Sequence, residues 1–444
     1  MKIVVHSFHH SPRLIYAADF LLGQILGFEV DYTSEKEKTE SKGTIHLYYG
    51  KARPVFAKFF LPAHPMLEES AILSPLVEVH KTNGLTSFFH LPEIENPDLP
   101  FDLFALTFYL LSRFEEYDQS IERDEHQRFS AKSSLAYQQN FLHQPLIDCW
   151  AWRLYDLLKV RFPNCPDRKP SYHFLPTIDV DFAWAYLHKS SLRTIRTLLK
   201  SILGLNGSLF LKQVNVLLGK EKDPYDTFEF LQKTHQVNNV KALFFMLLGE
   251  YGTYDKNHPG DHPKMQLLMK QLAADAEVGI HPSYISNNNF TTLKKEKILL
   301  EKALGKTVLK SRQHFLKLNL PKTYHWLLKV GIKEDYSMGY ADAVGFRAST
   351  AYPFYWYDLE KDERTNLRIF PFAVMDVTLK RYLNLAPQEA LTKTTELIAQ
   401  VRQTGGHFSL LWHNSSFSAE MGWEEWGGIY EKIVALANQD PSAK

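Results

Sequence analysis

Cysteine is nearly missing from this sequence, with two residues, Cys149 and Cys165, among 444. Two thiols build neither a disulfide framework nor a cysteine-rich zinc site. An excess of charge of one sign is missing too. Lys and Arg number 51 against 50 Asp and Glu, a formal net charge of +1. That balance gives no global field for nucleic acid or an anionic membrane and leaves only local basic patches. No apolar run approaches the ~18–20 residues that span a bilayer. The longest, residues 101–111, contains Asp102 and runs into Arg113, Glu115 and Glu116, which marks a buried helix. After Lys2 the apolar stretch is three residues, too short for the core of a secretion signal. A cytoplasmic protein without a membrane span is therefore expected. A Gly-x-Gly-x-x-Gly motif is absent and so is a full Gly-x-x-x-x-Gly-Lys-Ser/Thr phosphate loop, since Gly305-Lys306-Thr307 has Leu300 where the first Gly would stand. This argues against nucleotide enzymes, and a Gly-x-Ser-x-Gly nucleophile elbow is absent too.

What the chain does have is ordinary globular usage, 45% hydrophobic and 23% charged residues. The length fits two domains. Residues 2–5 and 44–49 read as strands, and 12–26, 103–114 and 146–160 as helices, so residues 1–165 are expected to form a smaller mixed α/β domain. Three prolines, Pro163, Pro166 and Pro170, break regular structure and place the boundary there. In residues 170–444, strand-like runs at 173–178, 242–248, 277–280 and 408–412 alternate with amphipathic helices such as 265–276 and 291–304. This rhythm predicts a mainly parallel sheet or barrel, with functional side chains at the carboxyl ends of the strands.

The residues at those strand ends carry chemistry. Asp179 and Asp181 sit at i and i+2 on one side of an extended backbone. Like charges that close need a cation between them, or a proton on one; the alternative is a helix cap beside an exposed acid. His281 follows an apolar run and precedes Pro282, where a metal ligand would be presented. Arg312 and His314 alternate as on a strand, so both can face one site, with Arg312 orienting a carboxylate. Asp335 and Arg347 end two short apolar approaches. His413 follows Trp412 and is placed to act as a general acid. His258 and His262 have the spacing that chelates zinc on a helix, but Pro259 and Gly260 forbid a helix there, so this is a loop.

Together these motifs resemble those of the polysaccharide deacetylases of the NodB-homology type, over roughly residues 170–420. The resemblance implies a distorted (β/α) barrel with fewer than eight strands, a bound divalent metal, and removal of acetyl groups from an N-acetylated sugar or glycan. By the same resemblance Asp179 is the base, Asp181 and His281 are metal ligands, Arg312 holds the base and His413 is the acid. Two positions depart from the family pattern. The second motif has a second His where this chain has Ile285, and the third motif has Pro where this chain has His314. We infer that His314 replaces the missing ligand, giving Asp181, His281 and His314, with Asp335 or Ser283 as alternatives. Zinc suits one carboxylate and two imidazoles, and iron, cobalt or nickel would fit as well. Tyr284, Tyr336, Trp356 and Trp412 offer a platform for a sugar ring, with Asp335 and Arg347 as further substrate-binding candidates.

The whole chain also resembles a bacterial subgroup that carries an N-terminal domain of unknown function, on residues 112–117 and 124–129. Arg113, Glu115 and Glu116 there read as structural ion pairing. Two other readings stand beside a deacetylase: a hydrolase of another small amide, and a carbohydrate-binding or scaffold protein whose site has decayed.

Overall fold

The computed structural model describes residues 1–35, 43–68, 72, 77–418 and 422–439. Near the N-terminus four short strands pair in parallel: β1 (Lys2–His6), β2 (Glu29–Thr33), β3 (Thr44–Gly50) and β4 (Phe60–Pro62), in the order β2-β1-β3-β4. A hairpin, β5 (His80–Thr82) and β6 (Leu85–Ser87), turns at Asn83 and Gly84, both at positive φ, the geometry that lets two strands keep their twist.

Two expected helices differ at their ends. Over 12–26 the chain starts as an α-helix, Pro12–Ala18, capped by the Ser11 side chain. It then widens to a π-helix over Asp19–Ile25, and Gly27 at φ 69° turns it out. The apolar helix Leu103–Leu111, capped by Asp102 and buried throughout, stops three residues short of the expected 114. The reason is Arg113, which adopts a left-handed φ of 55° and thereby turns its guanidinium into the interior.

The large sheet has nine strands: β7 (Tyr172–Val180), β8 (Leu243–Leu247), β9 (Glu277–His281), β10 (Lys310–Ser311), β11 (Glu334–Asp335), β12 (Phe354–Asp358), β13 (Glu363–Ile369), β14 (Val374–Met375) and β15 (Gly406–His413). Their order is β12-β13-β11-β10-β9-β8-β7-β15-β14, and every pair but β12 with β13 is parallel. Parallel strands are covered on both faces, which is why β8 reads Leu-Phe-Phe-Met-Leu with all five residues buried.

The expected barrel is met only in incomplete form. After β13, Phe370 N donates to Asp335 O at 2.8 Å and Phe372 N to Met338 O at 3.1 Å, on the β11 side. Ala373 N then donates to Ser409 O at 3.1 Å, on the β15 side. One stretch of chain thus bonds to both ends of the row from β11 round to β15, and the sheet curls back on itself. The ladder is broken in that stretch, because Pro371 has no N–H to give.

A continuous hydrophobic core cluster runs from Ile3 to Ala437, on both sides of the proline-rich segment. Its polar centre is an ion network. Glu116 accepts from Arg113 Nε at 2.8 Å and from Arg347 Nε and Nη2 at 2.9 and 2.5 Å, and Arg113 also reaches Glu115 at 2.7 Å. Arg347, expected at the substrate, is corrected here: it is buried in this network and joins the N-terminal third to the large sheet. Burial pushes the Glu116 carboxyl up, but the two guanidinium groups overcome it and hold it near 2, below its ordinary 4.5. Its contribution is complete above that ordinary value and is lost as pH falls toward 2. Glu116→Ala leaves two buried cations short of a partner. It should cost about 3–5 kcal/mol in urea unfolding at neutral pH, and the gap to wild type should narrow on acidification.

Candidate metal centre

Parallel pairing brings the strand ends to one place. β7 lies between β15 and β8, with Asp179 in register with His413 and Phe245. Asp181 is the first residue past β7, His281 ends β9 and His413 ends β15. After β10, Arg312 N bonds Ile280 O and His314 N bonds Pro282 O, both at 3.1 Å, so the chain stays beside β9 and carries both side chains to the site.

Asp181, His281 and His314 each present one donor atom, all within 4.8 Å of one another. His281 Nε2 is 3.2 Å from Asp181 Oδ1, and His314 Nε2 is 3.7 Å from Asp181 Oδ2. Outer partners fix both rings. His281 Nδ1–H donates to Arg312 O at 2.6 Å, and His314 Nδ1–H donates to Asp255 Oδ1 at 2.8 Å. Each Nε2 is thereby left as the lone-pair nitrogen facing Asp181. Asp181 Oδ1 is buried and accepts no hydrogen bond of good geometry. An orphaned carboxylate oxygen facing two preset imidazole nitrogens fits a divalent cation.

Two further pairs flank this cluster. Arg312, fully buried, donates through Nη1 to Asp179 Oδ1 at 3.0 Å and to Thr177 Oγ1 at 2.6 Å, and its guanidinium lies over the Phe245 ring. Asp179 Oδ2 is left 3.7 Å from His281 Nε2. On the other side His413 Nδ1–H donates to Asp376 Oδ1 at 2.8 Å, and its Nε2 is 3.8 Å from Asp181 Oδ2.

Without a cation the charges lean on each other. Burial raises the Asp181 carboxyl, but the imidazoles of His314, His281 and His413 pull it well below the carboxylate range. Burial lowers His314, and Asp181 and Asp255 overcome it to bring the ring to about 9. Burial likewise lowers His413, which Asp376, then Asp181 and Asp179, bring to about 10.

These groups open into a cavity of about 360 Å³. Its wall adds Phe315, Leu316, Met375 and Leu411, and Arg128, Arg381 and Tyr382 line it as well. A larger cavity, about 470 Å³, lies between helices Phe228–Val237 and Pro263–Asp275 and holds none of the donors.

The structure places the remaining expected residues elsewhere. Asp335 is buried beneath the site, where it accepts from Ser311 and Ser337 hydroxyls at 2.9 and 3.0 Å. Tyr336 stacks on Phe370 and donates to Glu334 at 2.7 Å. Trp412 points to the opposite face of β15 and packs on Trp426 and Tyr430. Trp356 is buried against Tyr324 and His325. Tyr284 lies behind the cavity wall, against Tyr254 and Phe315. Ser283 gives its hydroxyl to Glu296 at 2.5 Å, and neither it nor Asp335 belongs to the donor cluster. His258 bonds Leu187 O at 3.0 Å while His262 caps a helix, so the two form no chelate. A second group, His325, Asp358 and Glu360, is partly exposed, and His325 Nε2 and Lys361 Nζ already sit 2.6 and 3.7 Å from Asp358 Oδ2.

Sequence reading missed Asp255 and Asp376. Both are carboxylates just beyond apolar strands, the signal that singled out Asp181. Asp255, however, lies eight residues past β8 in a loop, and Asp376 follows a strand of two residues.

Residues 3–163 match the model of a family described as a family of unknown function (DUF7033). No curated protein matches the chain. Solved structures similar to it include a Mycobacterium smegmatis protein described as a polysaccharide deacetylase, 15% identical, with 62% of this chain and 87% of that one covered and a TM-score of 0.40. A 4-alpha-glucanotransferase from Thermococcus litoralis is 12% identical over 62% of this chain and 38% of that one, with a TM-score of 0.36. A polysaccharide deacetylase from Bacillus cereus is 12% identical over 62% of this chain and 95% of that one, with a TM-score of 0.30. Likeness at this level carries no functional argument, so the chemistry of the site has to be read from its own geometry.

Outer carboxylates that orient imidazole ligands are worth roughly 10–100-fold in metal affinity. Asp255→Asn should weaken divalent-ion binding by that factor in calorimetric titration. In chelator-treated protein the His413 ring should stay protonated up to about 10 by NMR; Asp376→Asn removes the first of the charges that raise it and should lower that midpoint.

Proposed function

We propose that this chain is a metal-dependent hydrolase that removes an acyl group, acetyl in the first instance, from an N-acylated sugar or glycan. The observation that carries the reading is the three-donor cluster standing between an arginine-held carboxylate and an aspartate-held imidazole, all facing one cavity. A cation site alone would need neither flanking pair. A hydrolytic site needs both, one to take a proton and one to return it.

Asp181, His281 and His314 would hold the cation, which supplies Lewis acidity toward water and toward an acyl oxygen. Zinc suits this donor set, and iron, cobalt and nickel share it. Asp179 takes the proton of the attacking water on Oδ2, the oxygen that Arg312 leaves free. Arg312 keeps that carboxylate charged and in one rotamer. The water oxygen bonds to the acyl carbon, and the carbon–nitrogen bond breaks as His413 gives its Nε2 proton to the departing amine. Asp376 holds the His413 ring with Nε2 toward Asp181 and stabilises its charged form. The apolar wall of Phe315, Leu316 and Met375 suits the face of a sugar ring and excludes water from the reacting atoms.

Metal analysis by mass spectrometry should find a divalent ion in the wild type and a loss in His314→Ala. Asp179→Asn and His413→Ala should keep the ion and lower kcat for acetate release from N-acetyl sugars by about 10²–10⁴-fold. Protein that takes up no zinc, cobalt or nickel overturns the reading. Protein that holds metal but releases no acid from a panel of N-acyl sugars and small amides overturns the hydrolase and favours a binding role.

A further inference from the structure

Between β7 and β8 the chain inserts a helical hairpin, Ser191–Leu203 followed by Gly207–Leu217. Its buried positions are few: Val216, and Ser201 and Gln213, which face each other between the helices and share a hydrogen bond of 2.9 Å. Its exposed positions are large and apolar. Leu192, Ile195 and Leu199 form a stripe at helical spacing along the first helix, all open to solvent. At the turn Leu203 is 82% and Leu205 93% exposed, and Leu211 continues the surface on the second helix at 62%. Scattered exposed leucines are ordinary, but a contiguous apolar patch on one helical hairpin marks an interaction surface.

The charge of the same segment says what lies opposite. Positions 182–220 contain no Asp or Glu and six cationic residues: Lys189, Arg193, Arg196, Lys200, Lys212 and Lys220. The chain as a whole is balanced at +1, so this is a local concentration of charge. On a helical projection Arg196 and Lys200 flank the apolar stripe on one edge, where long side chains reach outward around it. Arg193 roots the hairpin instead. It stacks on Tyr251 at 4.0 Å and donates to the carbonyls of Lys256 and Asn257. Those residues adjoin Asp255, which orients His314. The hairpin and the metal donors therefore share one end of the sheet.

We propose that this hairpin docks on the surface of an anionic membrane. Its leucine stripe sits at the boundary of headgroups and acyl chains, and Arg196 and Lys200 lie among anionic headgroups. An apolar stripe edged by cations, with no acid in its own segment, is the pattern that binds such an interface without crossing it. The nearest acids lie at the base of the hairpin, where Glu221 accepts from Asn215 and Asp223 from the amides of residues 185–187. No helix among the described residues is long and apolar enough to cross a membrane. A second copy of the chain fits the surface less well, because pairing two such faces sets like charges against each other.

The test is sedimentation of the full chain with vesicles of phosphatidylcholine alone and of phosphatidylcholine with phosphatidylglycerol. Binding should appear with the anionic vesicles and be lost in Leu199→Glu with Leu203→Glu. Arg196→Gln with Lys200→Gln should weaken it by roughly tenfold or more at low salt, with the difference shrinking as salt rises. These side chains are exposed, so metal content and thermal midpoint should match wild type in every variant and separate lost docking from lost folding. Absence of binding to anionic vesicles, or equal binding by all variants, overturns the proposal. So does a dimer in sedimentation equilibrium that Leu203→Glu dissolves, which assigns the stripe to a second copy.

Discussion

Two carboxylates one residue apart at the end of a buried strand cannot both be charged unless each has its own cation. The end of β7 meets that constraint by dividing it. Asp179 is compensated by the guanidinium of Arg312. Asp181 is surrounded by the Nε2 atoms of His281, His314 and His413 at 3.2, 3.7 and 3.8 Å, and one of its oxygens is still unpaired. Much of the site's architecture serves this division. β9 and β10 lie beside one another so that the Arg312 carbonyl can set the His281 tautomer while its side chain reaches Asp179. Asp255 and Asp376 stand behind His314 and His413 and decide which nitrogen of each ring faces inward.

The N-terminal third takes part in this support. Arg128 is held by Asp124 and donates to Phe315 O at 2.9 Å, next to His314, and it also lines the cavity. Ser130 and the Ala131 amide bond Asp342, and Thr350 and Ala351 bond Asp148. With the Glu116 network and the shared core, these contacts make the described part of the N-terminal third a buttress for the turn that carries His314. His314 is thus held from both sides, by Asp255 and by the chain that Arg128 clamps.

Local pattern made much of this readable in advance. Short apolar runs punctuated by Pro and Gly located β7, β8, β9 and β15 to within two residues at each end, because burial on both faces demands such runs whatever their neighbours are. Asp179, Asp181, His281 and His413 were legible for the same reason: a polar residue at the end of an apolar strand must emerge at the mouth of the sheet. Asp335 and Arg347 satisfy the same local description, and Tyr336 and Trp412 suit a sugar-ring platform, yet none of the four lines the cavity. Arg347 and Asp335 found buried partners at distant or neighbouring positions, and Trp412 falls on the outer side of the alternation that puts His413 inside.

The sequence by itself determined the alternation of strands and helices, the placement of acids and imidazoles at strand ends, and the acid-free, leucine-rich segment between β7 and β8. These arise from periodicity and residue chemistry, which act over a few residues. Only the tertiary structure decided which strand ends meet. That depends on strand order and register, which are set by pairing between segments from about thirty to more than two hundred residues apart. It brought Arg312 to Asp179, placed His314 beside His281 against Asp181, and recruited Asp255 and Asp376. It also left Leu192, Leu199, Leu203, Leu205 and Leu211 of the helical hairpin on the surface.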